Sequence, residues 1–323
     1  MGNVLEVNKL TTKIATKHGE VVPISDISFT VDRGETVGLV GESGCGKSMT
    51  INSIMRLLPE KTVSYEVKSI RISSQDITEL EEKDFCKIRG SKMSMIFQDP
   101  MTSLNPSLKI GFQIAEPLRL HTNCTKAKAI EKAKDALRAV GITDVERVMN
   151  SYPFNLSGGM KQRVVIAMAI ICHPDILLAD EPTTALDVTI QAQILRLIKD
   201  IQSKNDMGIV LVTHDLGVVA EECDRIIIMY CGQIVEQADT VTIFTKAAHP
   251  YTKGLIECIP RLTDQKDRLA HIEGNVMNIR EFQKPGCRFA ERCPFVTEKC
   301  RKETPLLQEV ESGHLCRCWK TEK

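Results

Sequence analysis

The chain has 323 residues, 42% of them hydrophobic and 26% charged, a length that favours two domains and a composition able to build a full core. Its 42 basic and 42 acidic side chains give a formal net charge of zero, so the overall charge offers no support for a nucleic-acid footprint, although a local basic patch would not show in that sum. The longest apolar run, Val164–Cys172, is nine residues and far short of a bilayer span. The first residues also lack the basic-then-apolar pattern of a secretory signal. These features predict an intracellular chain whose membrane role would come through a partner.

Residues 4–40 alternate short apolar runs with turns. Val4–Val7, Ile27–Val31 and Thr36–Val40, with the turn Asp32-Arg33-Gly34 between the last two, predict an antiparallel β region. It leads into Gly41-Glu42-Ser43-Gly44-Cys45-Gly46-Lys47-Ser48, a phosphate-cradling G-x-x-x-x-G-K-S loop, and Met49–Leu58 continues as a helix. Glycines let several N–H groups converge on phosphate oxygens, and the helix N-terminus adds partial positive charge. Lys47 is placed for the β- and γ-phosphates and the Ser48 hydroxyl for Mg²⁺. A nucleoside triphosphate is the expected ligand.

Met93–Phe97 reads as a strand ending at Gln98-Asp99-Pro100, and from about Ser107 to Asn150 the pattern turns helical. Thr125–Val140 places Ala129, Ile130, Ala133, Leu137 and Val140 close to one face. Leu156-Ser157-Gly158-Gly159-Met160 opens another predicted helix, Met160–Cys172, and forms a second anion-binding helix start. Two such starts are more than one nucleotide needs; if the second completes a site on another subunit, the protein works as a dimer with ATP clamped between its faces. Ile176–Ala179 and Ile209–Val212 read as fully buried parallel strands, separated by a helix over Ile190–Ser203. Helix–strand alternation implies a mostly parallel α/β sheet. The first strand ends at Asp180-Glu181, where ligands bind in such sheets. Asp180 can hold Mg²⁺, and Glu181 can take a proton from a water aimed at the γ-phosphorus. His214, after the second strand, could reach the γ-phosphate. Arg225–Met229, Gly232 and Ile234-Val235 read as a hairpin, after which the strand signal fades and prolines punctuate the tail.

Twelve cysteines are many for a compartment where disulfides are disfavoured. Seven, scattered through residues 1–286, read as buried small hydrophobes. Cys287, Cys293, Cys300, Cys316 and Cys318 crowd into the last 37 residues.

The sequence resembles the nucleotide-binding subunit of an ABC transporter over roughly residues 3–240. The matching residues are Gly41–Ser48, Gln98, Leu156-Ser157-Gly158-Gly159, Ile176–Glu181, Ala185-Leu186-Asp187 and His214. The resemblance implies an ABC-type phosphate-loop NTPase core over residues 1–240, with an antiparallel β subdomain and a helical subdomain at about 100–157. Residues 241–323 would form a small Cys-rich extension. It implies ATP and Mg²⁺ as ligands. Gly41, Ser43, Gly44, Cys45, Gly46, Lys47, Ser48 and Met49 would hold the nucleotide, and Ser48, Gln98 and Asp180 the Mg²⁺. Glu181, His214 and Gln98 would serve hydrolysis, with Gln98 sensing the γ-phosphate and coupling to the membrane subunit. Ser157, Gly158 and Gly159 would meet ATP held by the opposite subunit, and Asp187 would align the dimer. The family's adenine-stacking aromatic has no counterpart at the candidate positions Ile14 and His18, so the choice of ATP over GTP is less determined than phosphate binding.

Ala248-His249-Pro250-Tyr251-Thr252 and the terminal cysteines resemble the extension of oligopeptide and dipeptide permease ATPases, a group that includes nickel-uptake members. Cys287, Cys293, Cys300 and Cys318 resemble the ligands of a [4Fe–4S] cluster. A Cys₄ Zn²⁺ site, whose cysteines are usually closer in sequence, and unligated thiols are the alternatives, with Cys316 able to replace Cys318. The implied function is the ATPase motor of a peptide or small-solute importer, peripheral on the cytoplasmic face of the membrane. Its partners would be two transmembrane permease subunits, a second ATPase (by resemblance a paralogue) and, indirectly, an extracytoplasmic solute-binding protein, with no nucleic acid. The same ATPase energising nickel or metal-chelate uptake is one alternative, and a soluble, non-transport ABC ATPase is the competing class.

Overall fold

The computed structural model describes residues 2–184, 186–259 and 271–321. The chain begins with β1 (Asn3–Thr16), β2 (Gly19–Asp32) and β3 (Thr36–Val40), followed by α1 (Lys47–Ile54). Next come β4 (Val63–Glu66), β5 (Ser69–Ile72), β6 (Gln75–Asp76), α2 (Glu82–Ile88) and β7 (Met93–Ile96). The helical stretch holds α3 (Pro100–Ser103), α4 (Ile110–His121), α5 (Lys126–Ala139), α6 (Val145–Asn150) and α7 (Gly158–Ile170). Beyond it lie β8 (Ile176–Asp180), α8 (Val188–Asn205), β9 (Gly208–Thr213), α9 (Leu216–Glu222), β10 (Arg225–Tyr230) and β11 (Gln233–Asp239). The tail adds α10 (Thr240–Lys246), α11 (Pro250–Glu257), α12 (Glu298–Lys302), β12 (Gln308–Glu311) and β13 (His314–Cys316).

The chain divides into two units: residues 1–5, 30–35 and 71–211, and residues 6–29, 36–70 and 212–323. The first contains the helical stretch and the strands β7 and β8, which pair in parallel from Met93↔Ile176 to Ile96↔Ala179. Both strands are buried along their whole length, which requires apolar side chains on both faces and explains their unbroken hydrophobic runs. Helix α5 starts where Thr125 accepts a hydrogen bond from the Lys128 N–H and buries Ala129, Ala133 and Leu137, one residue per turn. Helix α7 has buried residues nearly all round, including Val164, Ile166 and Ala167, so it is an internal helix.

In the second unit the strand order is β12-β13-β11-β10-β3. Strand β10 runs parallel to β3 and antiparallel to β11, so the sheet is mixed where the sequence suggested a mostly parallel one. Strands β1 and β4 pair antiparallel from Thr11↔Glu66 to Ile14↔Val63, but Thr36–Val40, expected in the same antiparallel region, belongs to the other sheet and runs parallel to β10. The runs Val4–Val7 and Ile27–Val31 are only the most apolar parts of two 14-residue strands. The remainder is not all solvent-facing: Leu10 and Thr12 of β1 and Val22, Pro23 and Ile24 of β2 are buried as well.

After residue 240, the fading of the strand signal is corrected by β12 and β13. Strand β13 pairs with β11 at Glu236↔Cys316 and Gln237↔Leu315. The sequence Gln-Glu-Val-Glu of β12 has no apolar run, and edge pairing, rather than burial, makes it a strand. The reading of the scattered cysteines as buried hydrophobes also needs correction. Cys45, Cys223 and Cys231 are buried, Cys124, Cys172 and Cys258 are half-buried, and Cys86 is exposed.

Candidate functional site

In the second unit, buried β3 is followed by Gly41, where a Cβ would run into the Met229 carbonyl oxygen and Cys45 Sγ. Only glycine permits that close approach. Gly46 caps α1 with a φ of 105°, in the left-handed region glycine enters without strain. Between them the loop curls so that the Cys45 N–H donates to the Glu42 carbonyl at 3.3 Å. Lys47 Nζ donates to the Gly41 and Glu42 carbonyls at 2.7 and 3.1 Å, holding its buried ammonium group inside the curl. Thr50 Oγ1 donates back to the Gly46 carbonyl at 2.9 Å. Burial pushes the Cys45 thiol up from its ordinary range despite nearby Lys47, so it remains a neutral packing group. Ser43 and Gly44 are exposed, Ser48 and Met49 are half-buried, and His214 lies exposed just beyond β9. Ile14 is half-buried on β1, and His18 is exposed between β1 and β2.

In the first unit, Asp180 is buried at the end of β8, and Glu181 follows with φ 44°. A non-glycine residue there carries strain of about 1 kcal/mol or more, of the kind stored at functional positions. Its Oε2 accepts from Gln98 Nε2 at 3.0 Å and from Thr184 Oγ1 at 2.8 Å. Two residues singled out separately in the sequence, 83 positions apart, therefore meet directly. Thr184 is a site neighbour that motif reading missed. Ser157 caps α7 by accepting from the Met160 N–H at 3.4 Å. Ser157 and Gly158 are exposed, and a Cβ on Gly159 would come within 3.2 Å of Ile190. Asp187 caps α8, accepting from the Ile190 N–H at 3.0 Å. Ala185 of the predicted Ala185-Leu186-Asp187 segment lies outside the described residues. Gln162 Nε2 donates to the Pro182 carbonyl at 2.7 Å, tying α7 to the turn after Glu181.

The tail motif at 248–252 has a structural explanation. The Ala248 and His249 N–H groups donate to the two carboxylate oxygens of buried Glu236 at 2.6 and 3.0 Å. His314 Nε2 lies 2.7 Å from Glu236 Oε1. Pro250 opens α11, capped by His249 Nδ1 accepting from the Tyr251 N–H at 3.1 Å. Tyr251, Tyr230, Phe289 and His249 form one ring cluster, with Tyr251 and Tyr230 centroids 4.7 Å apart.

Cys287, Cys293, Cys300 and Cys318 all line one cavity of about 500 Å³, beside Phe289, Phe295 and Trp319. The Cys287 N–H donates to the Cys300 carbonyl at 2.7 Å, and Thr297 Oγ1 lies 3.2 Å from Cys300 Sγ. Burial pushes the Cys287 thiol up to about 11 and raises those of Cys293 and Cys318. Cys316 is fully buried and does not line the cavity. Among the described residues no three His, Cys, Asp or Glu side chains are grouped as a metal-ion site, so metal binding by these cysteines is not shown.

A glycine loop opening a helix, with an Asp-Glu pair ending a buried strand, defines a phosphate-loop nucleotide-binding domain. The family model described as ABC transporter matches residues 24–184, and that of the oligopeptide/dipeptide transporter C-terminal region matches residues 235–300. The chain is 48% identical to the oligopeptide transport ATP-binding protein AppD of Bacillus subtilis (strain 168), over 100% of this chain and 98% of that protein. It is 43% identical to the dipeptide transport ATP-binding protein DppD of Escherichia coli (strain K12), over 98% of this chain and 96% of that one. The solved dimeric structure of the ATP-binding cassette MJ0796 in a post-hydrolysis state, bound to ADP and Pi, superposes with a TM-score of 0.64. That likeness has 27% identity and covers 73% of this chain and 98% of the other. The chain belongs to the ABC transporter ATP-binding family and is an ATPase with the cassette fold. ATP and Mg²⁺ are its expected ligands. No helix among the described residues is long and apolar enough to cross a membrane.

Proposed function

We propose that this ATPase is the motor of an importer for oligopeptides, dipeptides or a related small solute, peripheral on the cytoplasmic face of the membrane. Its partners in this reading are two transmembrane permease subunits, a second ATPase of the same family and, indirectly, an extracytoplasmic solute-binding protein. The observation that carries it is the similarity to an oligopeptide transport ATP-binding protein along the whole chain, extension included. Residues 1–240 act as the nucleotide-binding domain, with a helical subdomain at about 100–157, and residues 241–323 as the extension.

In this reading the backbone N–H groups of the loop from Gly41 to Met49 and the Lys47 ammonium hold the phosphates. Ser48, Gln98 and Asp180 hold Mg²⁺. Glu181 takes a proton from water as the water oxygen bonds to the γ-phosphorus, and the bond to the bridging oxygen breaks with its electrons leaving on ADP. The contact from Gln98 supports this role, because a donor on Oε2 orients the carboxylate. His214 contacts the γ-phosphate. Ser157, Gly158 and Gly159 serve the opposite subunit's ATP, which the exposure of Ser157 and Gly158 supports, and Asp187 aligns the dimer.

Cys287, Cys293, Cys300 and Cys318 hold a [4Fe–4S] cluster in the same proposal. Four thiols bordering one space are the required donor set. A Cys₄ Zn²⁺ site, whose cysteines are usually closer in sequence, is the rival. When bound, such a cluster supplies cross-linking of the tail.

The test is reconstitution in vesicles with both permease subunits and the second ATPase. Peptide-loaded binding protein is expected to raise ATP hydrolysis. Hydrolysis indifferent to the membrane subunits and to every peptide would overturn the importer reading.

A further inference from the structure

Glu42, the second residue of the phosphate loop, is gripped by a residue 250 positions away. Arg292 Nη1 donates to Glu42 Oε2 at 2.6 Å and Nη2 to Oε1 at 3.0 Å. This parallel fork is the strongest common ion-pair geometry, and lysine cannot reproduce it. The remaining guanidinium donors go to Tyr230 Oη at 3.4 Å, the Ile272 carbonyl at 3.2 Å and the Glu273 carbonyl at 3.0 Å. All five N–H donors of the group are thereby used. The Arg292 side chain is only 4% exposed and that of Glu42 28%, so the pair is screened far less than a surface salt bridge.

The same loop residue is pinned twice more. The Glu42 N–H donates to Tyr251 Oη at 3.0 Å, and the Glu42 carbonyl accepts from Lys47 Nζ at 3.1 Å. Phe289 packs edge-on against Tyr230 and tilted against Tyr251. A second arginine of the same short segment, Arg288, donates to the Cys231 carbonyl. The neighbouring Gly232 N–H donates to the Cys45 carbonyl of the loop at 2.8 Å. Residues 288–292 therefore reach the phosphate loop directly at Glu42 and through one turn at Cys45.

We propose that Arg292 is a positioning residue for ATP binding: by forking onto Glu42 it holds the phosphate loop in its nucleotide-binding shape. The extension thereby sets the affinity of the motor domain for ATP. Arg292 touches neither ATP nor Mg²⁺ in this scheme and acts entirely through Glu42. The inference rests on ATP binding at residues 41–48.

The test is calorimetric titration of the full chain with Mg·ATP, for wild type, Arg292→Ala, Glu42→Gln and the double variant, together with KM and kcat. Arg292→Ala is expected to weaken ATP binding about tenfold, within the usual range of coupling between sites. KM rises while kcat is retained, because the reacting groups are untouched. The double variant loses no more than the stronger single one, since the two side chains act as one unit. Arg292→Lys recovers only part of the loss. If Arg292→Ala does not fold, Glu42→Gln carries the same test from the loop side. A folded Arg292→Ala protein with wild-type affinity, or losses that simply add in the double variant, overturns the inference. Failure of the underlying ATP-site reading looks different: wild type would not bind Mg·ATP, or Lys47→Ala would bind it unchanged.

Discussion

Replacing Glu181 by Gln isolates the proton-accepting step from everything else its side chain does. Both described donors to Glu181, Gln98 Nε2 at 3.0 Å and Thr184 Oγ1 at 2.8 Å, converge on the same oxygen, Oε2. A glutamine carbonyl oxygen placed there keeps both hydrogen bonds, and the isosteric side chain leaves the left-handed turn at φ 44° as it is. The loss is the basicity of the carboxylate. A general base is worth roughly 10²–10⁴ in rate, so hydrolysis is expected to fall by that factor, or about 2.7–5.4 kcal/mol of barrier. ATP affinity is expected to stay within about twofold of wild type, since uniform binding is untouched. Single-turnover hydrolysis of prebound Mg·ATP measures the chemical step, and equilibrium titration measures binding. A Glu181→Gln protein that hydrolyses ATP at the wild-type rate would refute the assignment. One that loses both binding and hydrolysis would show that the carboxylate charge shapes the turn, contrary to the hydrogen bonding described here.

Ser157→Arg places a long cation on an exposed helix start. ATP binding is expected to persist while ATP-dependent pairing with the second ATPase is lost, as read by analytical ultracentrifugation. Cys293→Ser or Cys300→Ser is expected to bleach a brown anaerobic preparation and to raise proteolysis beyond residue 285, with Mg·ATP binding at residues 41–48 retained. Colourless wild-type protein holding one zinc would replace the cluster by Zn²⁺. His249 is fully buried, and burial, aided by Arg317, pushes its imidazole down to about 3 from 6.5. The unfolded state therefore binds the proton first as pH falls. The stability this histidine confers is complete above pH 6.5 and declines towards pH 3, by at most about 1.4 kcal/mol per pH unit. His249→Asn can keep the helix cap without the titration. Urea midpoints at pH 7 and pH 5 are expected to differ less in that variant, and equal pH slopes would exclude His249 as the cause.

What the sequence by itself determined is whatever short-range chemistry decides. Gly41 and Gly46 permit backbone paths that other residues resist, so the phosphate loop is legible from eight consecutive letters. Thr125 and Ser157 mark helix starts because a side-chain oxygen three residues ahead of an N–H can cap it. Unbroken apolar runs reveal β8 and β9 because both faces are buried. Only the tertiary structure decided which distant groups meet. Arg292 has the appearance of a solvated charge among cysteines until its fork closes on Glu42. Strand β12 has no strand pattern until β13 pairs with it, and Glu236 acquires its partners at 248, 249 and 314 only when β11 and the tail come together. Periodicity records which side of an element is buried, whereas an ion pair or an edge strand depends on a single complementary group far along the chain. No local pattern encodes that distance.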